Sequence, residues 1–378
     1  MNRERLLTFL TAFIAVVIAI GASELLVRVF SPAWLDQRMA ILNPESFGSD
    51  REWKVVYSGE KFVSYEPNTS FTVSHYEYNH VANIDAWGGR VVSRNPVLAH
   101  NNRLVPVLGD SFTFGVGVSD LQTFVSKLAA ANADFEFLNL GVPGSAFPQQ
   151  LDILEMRHAE LFQPTSYIFF YFLGNDFADI LSHAEPKQTS NNKKRWKFSN
   201  LAKKINTFVY TNPILKRSYL LQFVRKFAMD LGNLTGIYQQ PLHPVFDIMD
   251  VGDEGYKARA AAVLESQIAR LESLEKKYGF SSMVVAIPHV YQVNDSERNE
   301  TAREYGISAG SLDVLRPNRV LENITAKHQI HFFDATHCIR NAGKRQQLYY
   351  TQDKHFTPAG HASLFSCVQE PVRDFLNR

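Results

Sequence analysis

Five apolar runs alternate with helix-like stretches from residue 103 to the end of the chain, and no other feature restricts the fold as strongly. The runs cover 104–108, 135–140, 166–173, 281–287 and 330–334. The helix-like stretches cover about 120–131, 148–162, 255–278, 311–327 and 358–376. Strands that alternate with helices form a parallel sheet covered on both faces. The sequence therefore predicts a three-layer α/β/α domain over residues 103–378.

The first 30 residues are predicted to lie outside this domain. Leu6 to Ile20 is uncharged and almost wholly apolar, and a second apolar run, Leu25 to Phe30, follows Glu24. Arg3 and Arg5 precede both runs. This pattern is typical of a transmembrane signal-anchor with a cytoplasmic start. A cleaved signal peptide is the alternative. We favour the anchor because the apolar run reaches the ~20 residues of a bilayer only if it continues past the candidate cleavage site Ala19-Ile20-Gly21. Both interpretations export the chain.

Residues 31–102 predict a small β-rich lead-in segment. Runs rich in Tyr, Phe and Val, such as Phe62–Tyr65 and Ser70–Val73, are broken there by Pro, Asn and Gly. Over the whole chain, 39 Lys and Arg residues nearly balance 38 Asp and Glu residues. That balance does not favour a nucleic-acid partner.

A basic amphipathic insertion is predicted at about 186–250. From Pro186 to Met229 there is no acidic residue, whereas there are eleven cations. Apolar residues at helical spacing form a stripe: Leu215, Tyr219, Phe223 and Phe227. The insertion is either a solvated lid whose stripe packs on the core or a surface that binds anionic headgroups or an anionic polymer.

Ser111 directly follows the first apolar run, in the triplet Gly109-Asp110-Ser111. Parallel sheets expose reactive groups at the carboxyl ends of their strands. A serine hydroxyl becomes a good nucleophile only when a base removes its proton. We expect His355 to be this base and Asp353 to fix its tautomer.

The oxyanion formed by attack of a serine requires hydrogen-bond donors. Besides the amide of Ser111, the candidates are the backbone N–H of Gly144 and the side-chain amide of Asn175, which follow the next two strands. The pair His337-Cys338 has no companions at metal-ligand spacing, and the sequence contains no phosphate-binding loop and no dinucleotide fingerprint. We therefore expect neither a metal nor a cofactor.

Four segments, in this order, resemble the SGNH hydrolases, also called the GDSL esterase/lipase family. They are Gly109–Phe112, Asn139–Gly144, Gly174–Asp176 and Asp353–His361. The resemblance implies a flavodoxin-like fold, Ser111 as nucleophile, and Gly144 and Asn175 as oxyanion donors. There is one departure, because the common family spacing is Asp-x-x-His and position 352 is Gln here. Asp353 and His355 instead form Asp-x-His, a spacing found in some membrane-anchored relatives.

The resemblance implies a serine esterase, and the N-terminal apolar segment predicts that it is exported and membrane-anchored, with its catalytic domain on the periplasmic side. The run from Gly109 to Val118 looks like that of anchored members linked to exopolysaccharide pathways. We expect the esterase to remove acyl groups, in particular acetyl groups, from an extracellular polysaccharide. Three alternatives stay open: a polysaccharide O-acetyltransferase, a lipase or lysophospholipase, and an inactive polysaccharide-binding scaffold in an assembly complex.

The only two cysteines, Cys338 and Cys367, flank the segment that holds Asp353 and His355. In an exported protein they can form a disulfide that pins this segment. Two buried free thiols are the alternative.

Overall fold

The computed structural model describes residues 3–32, 35, 39, 55–59, 61–75, 77–93, 103–184, 212, 215–234, 244–250 and 254–378. The chain divides into two compact units. The first comprises Met1–Phe47 and Thr189–Pro241, and the second comprises Gly48–Gln188 and Leu242–Arg378. Most of the basic part of the predicted insertion, residues 185–211, lies outside the described residues.

The second unit is built on a five-stranded parallel sheet. Its strands are β5 (Leu104–Gly109), β6 (Glu136–Asn139), β7 (Ser166–Phe172), β8 (Ser281–Ile287) and β9 (His331–Asp334). They coincide with the five apolar runs, and they lie in the order β6-β5-β7-β8-β9. Every residue of β5 and nearly every residue of β7 and β8 is buried, as expected of strands covered on both faces. The predicted α/β fold with a parallel sheet is therefore confirmed.

This strand order is the flavodoxin-like one, 2-1-3-4-5, with β5 as the first strand. The sheet extends in one direction from β5 to β6 and in the other from β5 to β7. Between β5 and β7 lies the topological switch point, where connections leave in opposite directions and open a crevice at the carboxyl ends of the strands. The loops after β5 and β7 carry Ser111 and Asn175 to this crevice.

Helices of the second unit connect the strands and cover both faces of the sheet. In the described part of the whole chain, counting both units, the helices are α1 (Arg3–Val29), α2 (Ser111–Phe114), α3 (Phe124–Ala131), α4 (Phe147–Arg157), α5 (Asp176–Ala184), α6 (Tyr219–Leu234), α7 (Pro244–Met249), α8 (Glu254–Tyr278), α9 (Val290–Val293), α10 (Asp295–Glu304), α11 (Arg316–Lys327), α12 (Thr336–Gly343) and α13 (Pro358–Leu376). The five helix-like stretches of the sequence correspond to α3, α4, α8, α11 and α13. The other helices of the second unit were not predicted from the sequence.

Two hairpins precede the sheet, in the region predicted to be β-rich. They are formed by β1 (Val55–Ser58) with β2 (Lys61–Tyr65) and by β3 (Ser70–His75) with β4 (Tyr78–Asn83). Both belong to the same compact unit as the parallel sheet.

Arg90 joins this lead-in region to the loop that follows α2. Its fully buried guanidinium pairs with Asp120 at 2.9 Å and donates to the backbone carbonyls of Phe114, Gly115 and Val118 at 2.5–2.8 Å. A buried charge is tolerated only when it is paired and hydrogen-bonded, as it is here. The lead-in region is therefore part of the core that supports the short helix beginning at Ser111.

The first unit contains α1 and α6. Residues Leu10–Val29 of α1 are long and apolar enough to cross a membrane, and none of this segment is buried. The same properties fit a signal sequence, so the structure agrees with either prediction for the N-terminus.

The structure joins Cys338 of α12 to Cys367 of α13 in a disulfide. These two helices bracket residues 344–357, the segment that holds Asp353 and His355. The disulfide thus closes the base of this segment.

Candidate active site

Ser111 begins α2 immediately after β5 ends at Gly109. The side chain of Asp110 accepts a 2.9 Å hydrogen bond from the N–H of Phe112 and so fixes the first turn. A Cβ atom on Gly109 would lie 2.0 Å from Oγ1 of Thr113 and 2.8 Å from the carbonyl oxygen of Phe170. Only glycine therefore allows the chain to turn this sharply between the strand and Ser111.

The segment Asn139–Gly144, which begins at the end of the neighbouring strand β6, holds the same turn in place. Asn139, the last residue of β6, donates from Nδ2 to the carbonyl oxygen of Thr113 at 2.9 Å. Its Oδ1 accepts from the N–H of Gly141 at 3.0 Å. One buried amide thus connects α2 to the loop that leads to Gly144, which is why an asparagine suits this position.

His355 connects Ser111 to Asp353. Its Nε2 lies 2.7 Å from Oγ of Ser111, and its Nδ1 lies 2.5 Å from Oδ2 of Asp353. Ser111 and His355 are 244 residues apart in the sequence, and the fold brings them into hydrogen-bond contact. This is the Ser-His-Asp arrangement of serine hydrolases.

The Asp-x-His spacing works because of the backbone at the intervening residue. Lys354 has a φ angle of 65°, in the left-handed region. The N–H of Lys354 donates to the carbonyl oxygen of Tyr350 at 3.3 Å. The N–H of Tyr350 in turn donates to the carbonyl oxygen of His355 at 2.8 Å. The chain therefore curls tightly between Asp353 and His355, so that the carboxylate reaches the ring two residues away.

Tyr78, the first residue of β4, makes a second contact with the acidic residue. Its hydroxyl donates to Oδ2 of Asp353 at 2.9 Å. Burial raises the pKa of Asp353, but hydrogen bonds from His355 and Tyr78 outweigh burial and leave that pKa below its ordinary value. Burial and the neighbouring Asp353 carboxylate raise the pKa of Tyr78. The carboxylate thus stays ionised and the phenol stays a donor.

Glu77, next to Tyr78, holds the backbone of the same segment. Its carboxylate accepts from the N–H groups of Thr351 at 2.8 Å, Gln352 at 3.1 Å and Asp353 at 2.9 Å. Hydrogen bonds to a charged acceptor are about twice as strong as neutral ones. The β3–β4 hairpin therefore positions the Asp-x-His segment in two ways: Tyr78 binds the side chain of Asp353, and Glu77 binds the backbone of residues 351–353. No spacing in the sequence links residues 77 and 78 to residue 353, and sequence reasoning missed them.

Asp110, which precedes Ser111, and Asp176, the first residue of α5, are both fully buried. Asp176 accepts from the N–H of Phe172 at 3.0 Å through Oδ2, while its Oδ1 has no hydrogen-bond partner among the described residues. Burial raises the pKa of Asp110 to about 6. Burial and the charge of Asp110 raise the pKa of Asp176 well above its ordinary value. Burial and the repulsion between the two carboxylates therefore both favour the protonated form of the pair.

Asn175 and Gly144 lie after β7 and β6, at the edge of the sheet where the sequence predicts them. Nδ2 of Asn175 donates to Oδ2 of Asp179 one turn along α5. An amide has two N–H donors, so this contact orients the group and leaves a second donor. Gly144 has a φ angle of 77°, and a Cβ there would meet nothing within 4 Å. Their role as oxyanion donors stays a prediction.

A cavity of about 440 Å³ opens beside Gly144. Its other lining residues come from β1, β2, the loop after β6, and α4: Val55, Tyr57, Phe62, Tyr65, Val142, Pro143, Ser145, Gln149 and Ile153. Among these described residues none is charged, and three are aromatic. The lead-in region thus contributes one wall of the cavity next to the candidate oxyanion donor.

No protein-family profile and no curated protein matches the chain. Similar solved structures include a lipolytic G-D-S-L family protein from Veillonella parvula, with 13% identity over 71% of this chain and 96% of that chain, at a TM-score of 0.38. A lipase/acylhydrolase from Enterococcus faecalis has 12% identity over 72% and 96%, at a TM-score of 0.38. An acetylxylan esterase from Geobacillus stearothermophilus has 12% identity over 71% and 94%, at a TM-score of 0.36.

At these identities and TM-scores, the likeness alone assigns neither activity nor substrate. The features of this chain itself carry more weight. It has a flavodoxin-like parallel sheet, four sequence blocks in family order, and Ser111, His355 and Asp353 in one hydrogen-bonded chain. The fold and these contacts thus agree with what the sequence resemblance to the SGNH hydrolases implies.

Proposed function

We propose that this chain is a membrane-anchored, exported serine esterase of the SGNH type that removes acyl groups, in particular acetyl groups, from an extracellular polysaccharide. The observation that carries the proposal is the hydrogen-bonded chain from Oγ of Ser111 through His355 to Asp353. A serine positioned in this way attacks carbonyl carbon, so the reaction class is acyl transfer.

In the first step His355 takes the proton of Ser111 through Nε2 while Oγ attacks the ester carbonyl carbon. The N–H groups of Ser111 and Gly144 and the second N–H of Asn175 stabilise the resulting oxyanion. Asp353 stabilises the imidazolium through Nδ1. Collapse of the tetrahedral intermediate breaks the bond to the sugar oxygen, which receives the proton from His355. An acyl-serine remains.

In the second step a water molecule attacks the acyl-serine and gives one proton to His355. The tetrahedral intermediate collapses, the carboxylic acid leaves, and Oγ of Ser111 regains its proton. If a sugar hydroxyl takes the place of water, the same residues perform an O-acyl transfer.

The cavity beside Gly144 supports a carbohydrate substrate. Tyr57, Phe62 and Tyr65 contribute to its lining. Aromatic rings can pack against the apolar faces of sugar rings, and the uncharged lining suits a neutral, acetylated sugar unit. The described lining residues include no cation to bind an anionic polymer. Most of the cations of the basic insertion, which could bind one, lie outside the described residues.

Export is supported by the disulfide between Cys338 and Cys367, since disulfides persist in oxidising compartments such as the periplasm. Anchoring is supported by the apolar segment Leu10–Val29. We propose that α1 stays on the chain and that the catalytic unit lies on the periplasmic side.

The test is a substrate series for the full chain in detergent micelles, with Ser111→Ala as the control. The series consists of p-nitrophenyl acetate, longer p-nitrophenyl esters, and an acetylated oligosaccharide from which acetate release is measured. We expect acetate to be released from the oligosaccharide and the short ester to be preferred. A preference for long esters at lipid interfaces would identify a lipase instead, and transfer of acetyl to an added sugar without release of acetate would identify a transferase.

A further inference from the structure

Glu24 is an acidic residue inside the apolar segment Leu10–Val29 of α1. It precedes Val29 by five residues, which at about 1.5 Å per residue places it roughly 7 Å inside the end of the segment. A carboxylate at this depth is costly unless it is paired. One partner is Arg28, one turn further along α1, whose Nε lies 2.7 Å from Oε1 of Glu24.

The other partner of Glu24 is the start of α6. Its carboxylate accepts from Oγ of Ser218 at 2.8 Å and from the N–H groups of Tyr219 and Leu220, both at 2.9 Å. These are the donors that a helix leaves unpaired at its first turn. Arg28 also donates to the carbonyl oxygen of Arg217 at 3.1 Å and stacks on the ring of Tyr219. The first turn of α6 is thus bonded to α1 at the depth of Glu24.

One face of α6 is apolar and exposed. The exposed fractions of Phe223, Val224 and Phe227 are 39%, 51% and 63%. Residues three and four positions apart share a face of a helix, so these three side chains form one apolar patch. Arg225 and Lys226 lie between them in sequence. At 16 residues α6 is shorter than the ~20 residues that a membrane-spanning helix requires.

We propose that α6 lies in the lipid–water interface, with Phe223, Val224 and Phe227 inserted at the boundary of headgroups and acyl chains. The occupant of the patch is the lipid bilayer, because the first turn of α6 is bonded to α1, and Leu26 and Val29 of α1 are themselves exposed and apolar. Arg225 and Lys226 then reach anionic headgroups. The inference rests on the proposed anchoring by α1, and it explains why an acidic residue occurs inside that segment.

The experiment uses the full chain in nanodiscs of phosphatidylethanolamine and phosphatidylglycerol. Both native cysteines form the disulfide, so an introduced cysteine carries a fluorescent nitrobenzoxadiazole label at one place. The variants are Phe227→Cys in the patch, Val16→Cys in the middle of α1, and Leu315→Cys on an exposed position of the catalytic unit. Quenching is measured with lipids that carry a nitroxide near the headgroup end of the acyl chain, and with aqueous iodide.

We expect the label at residue 227 to be quenched several-fold more by the lipid nitroxide than the label at residue 315, and to be protected from iodide. If residue 16 is in lipid but residue 227 matches residue 315, the interfacial position of α6 is overturned while the anchor stands. If residue 16 is also exposed to iodide, anchoring itself is overturned, and the interfacial position falls with it. Ester hydrolysis by the same nanodiscs reports separately on the proposed enzyme activity.

Discussion

The hydroxyl of Tyr78 donates to Oδ2 of Asp353 at 2.9 Å, the same oxygen that lies 2.5 Å from Nδ1 of His355. One carboxylate oxygen is therefore shared between the histidine that activates Ser111 and a tyrosine from the lead-in hairpin. The chain between Tyr78 and Asp353 includes the whole parallel sheet. The hairpin is thus a structural element of the candidate active site, although it lies outside the segment that resembles the SGNH hydrolases.

Tyr78→Phe removes this hydrogen bond and keeps the ring. Hydrogen bonds to charged groups contribute ~1.5–3 kcal/mol, so we expect kcat to fall about tenfold or more, since tenfold corresponds to ~1.4 kcal/mol. KM should change little, because the hydroxyl bonds to Asp353. Steady-state kinetics with p-nitrophenyl acetate measures both constants.

The matched control is Tyr350→Phe, which removes a tyrosine hydroxyl that donates to the carbonyl oxygen of Gly117 at 2.8 Å. The rings of Tyr350 and Tyr78 lie 4.9 Å apart, so the two variants disturb the same region. Equal losses of kcat in both variants would show that the hydroxyl of Tyr78 has no specific effect on Asp353.

Glu77→Gln replaces one of the two oxygens that bind the backbone N–H groups of residues 351–353. The new amide NH₂ cannot accept from these donors, so the segment should loosen and kcat should fall. Hydrogen exchange of the three amides should speed up in parallel. Glu322→Gln, on an exposed position of α11, is the control. Unchanged exchange at residues 351–353 would contradict the positioning role of Glu77.

Lys354→Gly and Lys354→Val both remove the ion pair with Glu297. The two variants differ in the free energy that the left-handed backbone conformation costs at residue 354. Glycine adopts it freely, whereas it costs other residues about 1–2 kcal/mol, and more for β-branched residues such as valine. We therefore expect the glycine variant to keep most of its kcat and the valine variant to lose both stability and kcat. Similar kcat values for the two variants would mean that the turn at Lys354 does not position Asp353 and His355.

Asp176→Asn tests the buried carboxyl pair through the pH dependence of stability. In the folded chain the pKa of Asp110 and that of Asp176 are raised above the ~3.9 of an unfolded Asp. The folded state therefore binds more protons than the unfolded state above pH ~4, and stability is lost as the pH rises through the folded pKa values. The asparagine variant has no titratable carboxyl group at residue 176, so its free energy of unfolding should decline less between pH 5 and pH 8. Chemical denaturation over this range measures the difference, and parallel curves for the two proteins would contradict it.

The sequence predicted the strands and the position of Ser111 at the end of the first one because each leaves a local signal. Strands buried on both faces appear as continuous apolar runs, and Ser111 follows one of them in a glycine-bounded turn. Short helices such as Val290–Val293 and Thr336–Gly343 leave too few periodic positions to be recognised. The sequence departs from the common Asp-x-x-His spacing, and the left-handed backbone at Lys354 supplies the physical reason why Asp353 still reaches His355.

The contacts of Glu77 and Tyr78 could not be predicted, since they depend on how a hairpin packs against a segment about 275 residues later. The same holds for Glu24, whose role at the start of α6 appears only when α1 and α6 lie together. In both cases a polar side chain in one element completes the hydrogen bonding of a distant backbone. Single-sequence patterns do not encode such partners.

The most direct measurement is the release of p-nitrophenol from p-nitrophenyl acetate by the full chain and by its Ser111→Ala variant, with intact-mass analysis of the quenched reaction. We predict turnover by the natural chain together with an acetyl adduct at Ser111, and in the variant no adduct and a rate lower by at least ~10³-fold. Turnover by Ser111→Ala at the rate of the natural chain, or an adduct on another residue, would contradict the assignment of Ser111 as the nucleophile.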